Sequence, residues 1–458
     1  MTAVLTVLVS TYAVFTLVML VVRFERGLLL LIPVVPLATY TYRTPIMGLN
    51  LNNLLIYTAF SMGVLRRIGH RGLWPPATIP LVTFFGLTLL SWLLGYINYR
   101  HDPYPYETFR WFVNIERWVL YTLLYFAYYF GWSDKIAERT GFHWMFVGVL
   151  IAAVYNVYEI IFSSAYLSYS GRAGGLFGQA NSSGIFMASY GFLPLALAGT
   201  VRGARRVLYA GAFLLCAYGV IVSGSRAALL CLAAAGLVFA FYRSKRAFLW
   251  LLVGMAISVP ASSFLLPKGI LTHYESTFEG SDYEGVAGKF EGSAANRIVQ
   301  NQAGFKLFLD SPILGHGLGG FYYRSPKYLP PGAPDVTRSP HSTYLSFAVD
   351  GGIPILASLF WLLATLGLNG KRMYESDAPE EERLYGLFLL ACVVAKALAN
   401  FFNTEFITGD VTSFLWITAA LVSRAYTKVP VRSAVRQPVQ TPWRSRARPE
   451  ARPPVMHG

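Results

Sequence analysis

Cysteine is scarce in this chain: Cys216, Cys231 and Cys392 are the three among 458 residues, and each falls inside an apolar run. That placement excludes a disulfide framework and a thiolate metal site, and leaves packing as their role. Charge is scarce as well. Asp, Glu, Lys and Arg supply 13% of the residues, against about 25% in a soluble domain, while 55% are hydrophobic and the mean hydropathy is +0.46. This excludes a soluble globular fold and predicts a polytopic membrane protein. Acid is scarcer than base, 23 residues against 38, for a net charge of +15. The basic residues sit in short clusters between apolar runs rather than in one patch, which argues for membrane topology and against nucleic-acid binding. The first apolar run has no basic segment before it and no small-residue cleavage site, so it is expected to remain as a helix.

Apolar runs able to cross a hydrocarbon core of roughly 30 Å are abundant. They lie near 3–22, 48–65, 78–97, 111–130, 142–163, 181–199, 206–223, 226–242, 247–266, 342–367, 385–402 and 412–425, with a shorter one at 27–42 that reads as a further span or half of a re-entrant hairpin. The expected fold is an all-α polytopic membrane protein of twelve or thirteen transmembrane helices with one long extracytoplasmic loop. The chain divides into N-terminal helices (1–266), the loop (267–340), C-terminal helices (341–425) and a basic tail (426–458). From Arg424 onward the chain carries eight basic residues, one acid and several prolines, which reads as a disordered, surface-hugging cytoplasmic extension.

Charge placement orients the helices. Arg66-Arg67, the Arg202/Arg205/Arg206 and Arg243/Lys245/Arg246 clusters, Lys371-Arg372 and the tail all fall on one side when loops are counted back from the C-terminus. That side is cytoplasmic by the positive-inside rule. Arg172, Arg226 and His341, from three separate parts of the chain, then share the other face.

The long loop is the first place to look for chemistry, because connections beyond about 15 residues are usually functional or disordered. Its acid- and Gly-rich stretch from Glu279 to Ser293 reads as a mobile lid or surface strand. Residues 296–308 read as a short amphipathic helix, stopped at Asp310-Ser311-Pro312. The loop ends in Pro340-His341-Ser342-Thr343-Tyr344-Leu345, which places a histidine at the mouth of a helix. An outward-facing helix N-terminus favours the neutral imidazole, the form a general base needs. Arg226 follows the tight turn Gly224-Ser225 and opens an apolar helix. An arginine there faces a cavity or an anion, unless it snorkels or pairs with a carboxylate, and its planar fork suits phosphate oxygens. Arg172, in Gly171-Arg172-Ala173-Gly174-Gly175-Leu176-Phe177-Gly178, invites the same reading. Gly315-His316-Gly317-Leu318-Gly319-Gly320 formally matches a dinucleotide fingerprint but lacks a βαβ unit, so its glycines are expected to let the loop turn tightly onto the helices. Lys396 is an ion within an apolar span, with Glu116 as a candidate structural partner.

In order along the chain, the Arg-Gly-rich turn before a span, Gly224-Ser225-Arg226-Ala227, Ser311-Pro312-Ile313-Leu314-Gly315-His316-Gly317-Leu318-Gly319 and Pro340-His341-Ser342-Thr343-Tyr344-Leu345 resemble the motifs of the O-antigen ligase family of bacterial membrane glycosyltransferases. The resemblance covers roughly residues 170–360. The sequence departs from the family pattern at Ala180-Asn181, where Pro-Asn is common, and at Asp350, where Glu is usual.

The resemblance implies transfer of a glycan from a polyprenyl (undecaprenyl) diphosphate donor to an acceptor hydroxyl, without metal or other cofactor, at the outer face of a bacterial inner membrane. His341 would deprotonate the acceptor. Arg226 and Arg172 would bind the diphosphate, with Arg297 as a further candidate, and attack opposite the leaving group would invert the anomeric centre. The partners implied are the lipid-linked donor, a glycan, lipid or protein acceptor, and membrane lipid. The loop acids Glu275, Glu279, Asp282, Glu284 and Glu291 are scattered rather than clustered as metal ligands. A polymerase that extends lipid-linked repeats needs the same base and diphosphate site and is the nearest alternative. A lipid-linked glycan transporter would show paired broken helices around a charged mid-membrane cavity. A non-catalytic glycan-binding scaffold would leave His341 dispensable.

Overall fold

The computed structural model describes residues 2–41, 50–67, 74–101, 108–132, 138–162, 172–254, 280–281, 287–290, 292–330, 340–404, 406 and 408–428. The basic tail from 429 on, the loop acids, Gly171, Ser339 and the second half of the 247–266 run lie outside these residues. The structure is helical throughout, with no β-strand among the described residues. This is what lipid demands of a chain this apolar, since a helix satisfies its backbone hydrogen bonds internally.

The helices are α1 (Thr2–Val22), α2 (Phe24–Val34, continued by a 3₁₀ segment Val35–Tyr40), α3 (Leu51–Arg67), α4 (Thr78–Tyr99), α5 (Thr108–Gly131), α6 (Glu138–Phe162), α7 (Ala180–Tyr190), α8 (Phe192–Ala198), α9 (Ala204–Val222), α10 (Arg226–Arg243), α11 (Gly292–Asp310), α12 (Gly320–Arg324), α13 (Thr343–Glu375), α14 (Glu380–Phe402) and α15 (Gly409–Lys428). Among the described residues, seven helices are long and apolar enough to cross a membrane: α1 from Val4, α4, α6, α9, α10, α13 and α14. The helix expected over 296–308 is α11, and it stops at Asp310 as Ser311-Pro312 requires.

Small residues set the closest approaches. A Cβ on Gly370 of α13 would lie 2.7 Å from the Gly386 carbonyl oxygen of α14, so the backbones of this hairpin touch. A Cβ on Gly27 would lie 2.4 Å from the Leu20 nitrogen, and α1 and α2 close in the same way.

A chain of polar contacts defines one end of the bundle. Arg243 pairs with Glu380 (3.0 Å), Arg139 with Glu381 (3.1 Å), Lys428 with Glu138 (2.6 Å) and Arg66 with Glu25 (3.7 Å). Arg424 donates to the Tyr129 carbonyl (3.0 Å), and Arg67 lies over the Phe130 ring. The C-terminal ends of α3, α5, α10 and α15 and the N-terminal ends of α2, α6 and α14 therefore meet there. The opposite ends of these helices gather the polar loops and the candidate site residues.

α13 is not one helix. Gly352 has φ 67° and ψ −161°, and Pro354 follows, so a half-helix over 343–351 meets a long helix over 353–375 at a sharp break. Tyr344 and Phe360 would be separated by about 24 Å along a straight helix. Instead their rings stack with centroids 4.9 Å apart. The half-helix thus folds back beside its own continuation and carries His341 inward with it.

Candidate active site

The site is assembled by three turns. The first is the glycine-rich segment after α6. Gly175 takes φ +59° and donates its N–H to the Glu159 carboxylate at 2.6 Å. A Cβ there would sit 2.1 Å from Asn156 Oδ1 and 2.3 Å from Ser183 Oγ, so only glycine fits. Ala173 N–H donates to the Val222 carbonyl (3.1 Å), which ties the segment to the end of α9. Arg172 lies across the second turn: its Nε donates to the Ser223 carbonyl (2.9 Å) and its Nη2 to Asn181 Oδ1 (2.9 Å).

The second turn is Ser223-Gly224-Ser225. Gly224 has φ +59°, and a Cβ on it would press against the Arg172 side chain at 3.1 Å. Ser225 caps α10, accepting from the Ala228 N–H at 3.3 Å. Arg226 is the first residue of α10, so the structure brings Arg172 and Arg226 to one turn, as the shared-face expectation requires.

The third turn carries His341. It is the one residue other than glycine with positive φ among the described residues, at 52°. For a histidine this region costs of order 1–3 kcal/mol and persists only where the surroundings impose it. The neighbours do impose it. Ser342 caps the half-helix by accepting from Leu345 N–H (3.4 Å), and Thr343 Oγ1 lies 2.9 Å from Asn400 Oδ1. Thr343 N–H donates to the Asn403 carbonyl (3.3 Å), and the Tyr344 hydroxyl donates to the Ala397 carbonyl (2.8 Å). These partners also relate His341 to Arg226. α10 and α14 run antiparallel from the Arg243–Glu380 pair. Seventeen residues up from Glu380 is Ala397, about 25 Å along the helix and level with Arg226. His341 and Arg226 therefore belong to the same end of the bundle.

The loop over 311–320 clamps the broken helix. His316 N–H donates to the Val349 carbonyl (2.8 Å), Gly317 N–H to the Asp350 carbonyl (2.9 Å), Leu318 N–H to the Ser91 carbonyl (2.8 Å) and Ile353 N–H to the Pro312 carbonyl (2.8 Å). Ser91 Oγ donates to the Asp350 carbonyl (2.8 Å), and Gly320 N–H donates to Asp350 Oδ1 (3.1 Å). The glycine run is a backbone plug, as its fingerprint out of context predicts. A Cβ on Gly317 would lie 2.3 Å from the Gly95 nitrogen. His316 is buried, with its ring Nε2 2.8 Å from the Leu307 carbonyl oxygen, which gives it a structural tie to α11. Arg297 lies on α11, part-way buried. Lys396 donates to the Val411 carbonyl (2.9 Å) and sits over the Tyr190 ring, while Glu116 accepts from Tyr57 and Asn53.

Sequence reasoning passed over Glu159 and assigned no role to Asn181, Asn400 and Asp350, all of which hold the site's turns. Asp350 carried the one available signal, an acid beside Gly351-Gly352 and two residues ahead of the break. Asn181 stands in the first motif and Asn400 one turn from Lys396, but neither spacing states its partner, and Glu159 is an acid near a helix end that gives no signal.

Residues 211–360 match the family model for O-antigen ligases. The match supports placing the protein in the O-antigen ligase family of membrane glycosyltransferases, enzymes of polysaccharide biosynthesis that use a lipid-linked glycan donor and an acceptor. The matched stretch is about a third of the chain and contains Arg226, Arg297 and His341. Arg172 lies outside it and is brought to it by the Ser223 hydrogen bond. Comparison with curated protein sequences finds no match.

Proposed function

We propose that this O-antigen ligase-family protein transfers a glycan from an undecaprenyl diphosphate carrier to an acceptor hydroxyl at the outer face of a bacterial inner membrane. The observation that carries the reading is the convergence of Arg172 and Arg226 on one turn, at the same end of the bundle as a histidine held in a strained backbone conformation. In this reading the chain makes thirteen passes. α2 with its 3₁₀ continuation counts as one, because it runs from Glu25 beside Arg66 to Tyr40 beside Tyr155. The ion-paired end is cytoplasmic, and the loop of 267–340 lies outside.

His341 accepts the acceptor's proton, worth typically 10²–10⁴-fold in rate for a positioned base. Arg226 and Arg172 hold the diphosphate and offset the charge that grows on it as the glycosidic bond breaks. A diphosphate is a good leaving group, so a base and two guanidinium groups suffice without a metal. Attack from the face opposite the diphosphate inverts the anomeric centre. Arg297 serves the donor from the loop side. The ligase and polymerase versions of this reaction share every step at the donor and differ in the acceptor. The transport reading gains one broken helix, but that break is filled by the 311–320 loop rather than left facing a central cavity.

The test is transfer from an undecaprenyl diphosphate-linked glycan by the purified full-length protein in nanodiscs, with donor binding measured alongside. His341→Ala should bind donor and fail to transfer, and Arg226→Ala should lose donor affinity. Full transfer by a folded His341→Ala variant overturns the reading.

A further inference from the structure

The loop helix α11 presents a polar face to the His341 turn, and beyond Arg297 that face carries uncharged side chains to which the donor chemistry assigns no part. A Cβ on Gly304 would lie 2.8 Å from Leu345 Cδ2 and 3.4 Å from Pro340 Cβ, so Gly304 is pressed between the residues that bracket His341. Leu307 and Ala303 pack with Val349 further along, which makes α11 and the half-helix run in the same direction. One turn back from Leu345 is His341, and one turn back from Gly304 are Gln300 and Asn301. Residues three and four apart share a helix face, about 5–6 Å between Cβ atoms.

Gln300 is 7% exposed, and its side-chain oxygen is buried without a hydrogen-bond partner among the described residues; the same holds for the side-chain oxygen of the half-buried Asn301. On the other flank stands Asn403, 6% exposed, whose backbone carbonyl anchors Thr343. Its amide Nδ2 is likewise buried without a partner among the described residues. Burying such atoms unpaired costs of order 1–3 kcal/mol each, a cost a bound polar ligand removes.

We propose that Gln300 and Asn301 on α11 and Asn403 beyond α14 form a subsite for the hydroxyl groups of a neutral sugar, which they hold against His341. The unpaired atoms, two acceptors and one donor, all uncharged, match a group that both gives and takes hydrogen bonds better than a diphosphate ester, which only accepts. The sugar held there is the acceptor residue whose neighbouring hydroxyl His341 deprotonates. This assignment rests on the transferase reading, and it makes α11 the element that selects the acceptor.

The test is saturation-transfer NMR of methyl glycosides (glucoside, galactoside, rhamnoside and N-acetylglucosaminide) with the full-length protein in nanodiscs. Undecaprenyl diphosphate binding is read in parallel. At least one glycoside should bind the wild type. Its signal should fall about tenfold or more in Gln300→Leu and in Asn301→Leu, and fall again in Asn403→Leu, with undecaprenyl diphosphate affinity unchanged. Leucine keeps the buried bulk, and Gln300→Glu and Asn301→Asp, which retain an oxygen acceptor, should keep part of the signal. Arg226→Ala should do the reverse, losing the diphosphate and keeping the glycoside. Absence of any glycoside signal from the wild type, or a signal unmoved by the three leucine variants, overturns the subsite. Neither result touches the transferase reading, which fails if folded His341→Ala still transfers or Arg226→Ala keeps its donor affinity.

Discussion

Gly352→Ala is the sharpest perturbation of the architecture that carries His341. At φ 67° and ψ −161° a side chain costs about 1–3 kcal/mol in backbone strain alone. The new Cβ would also lie 2.3 Å from the Ile313 carbonyl oxygen and 2.6 Å from its carbon, which are backbone atoms that cannot rotate away. Either the break straightens or the 311–320 loop lifts. Lifting forfeits the hydrogen bonds from His316 and Gly317 N–H to α13, from Leu318 N–H to α4 and from the α13 residue Ile353 N–H to the Pro312 carbonyl of the loop, each worth about 1 kcal/mol net. The clamp should lose about 3–5 kcal/mol of local stability, so amide exchange at 316–318 should quicken roughly 10²- to 10⁴-fold, at 1.4 kcal/mol per decade. Hydrogen exchange read by mass spectrometry on the protein in nanodiscs measures this directly. Gly178→Ala is the control: Gly178 also has positive φ, 64°, but a Cβ there meets nothing within 4 Å. It should cost about 1–2 kcal/mol from strain and leave the 316–318 amides protected. Wild-type exchange at those amides in Gly352→Ala, or equal acceleration in Gly178→Ala, refutes the clamp.

The remaining expectations concern single side chains. His341→Asn should keep the fold, because asparagine tolerates the left-handed region, while transfer drops about 10²–10⁴-fold; His341→Val should add a fall in thermal midpoint that His341→Asn lacks. Arg172→Ala removes the hydrogen bond to the Ser223 carbonyl in the turn of Arg226 and a second to Asn181 Oδ1, so it should lower donor affinity and thermal stability together, whereas Asn181→Ala, which removes only the second, should do less of both. Lys396→Met replaces a buried ion bonded to a carbonyl by an apolar group of similar length. Transfer should persist at the wild-type level with thermal stability little changed, and loss of transfer in the folded variant would place Lys396 in the working machinery.

What could be read from the sequence divides along a physical line. Helical spans, the sidedness of basic clusters and the polar turns at Arg172, Arg226 and His341 follow from hydropathy, charge and punctuation, all of them local properties. The stop of α11 at Asp310 and the plug formed by Gly315 to Gly320 were legible for the same reason. The fold-back of 343–351 was not. Gly351-Gly352-Ile353-Pro354 allows a break but does not state its angle, which is imposed by the loop docking on Val349 and Asp350 from far along the chain. Asn400 stands out as a polar residue four after Lys396 in an apolar span, but its role does not, because a polar residue there has many uses. Its bond to Thr343 is a tertiary fact.

The strained histidine, the broken helix and the clamping loop are consequences of one another. A continuous α13 would hold Tyr344 far from Phe360 and lift His341 away from the ends of α10 and α14. Breaking it exposes backbone polar groups at 349–353, which a membrane-side helix cannot leave unpaired. The 311–320 loop supplies those partners, and it needs glycine at 315 and 317 because Gly351 and Gly95 stand where side chains would go. The fold-back then sets His341 between two fixed anchors, Pro340 against Gly304 and Thr343 against Asn400, and His341 joins them through a left-handed backbone. On this account His341's strain is relieved by releasing either anchor. Asn400→Ala should therefore reduce transfer with the histidine still in place, through turnover rather than donor affinity, and His341→Asn should be insensitive to the same change.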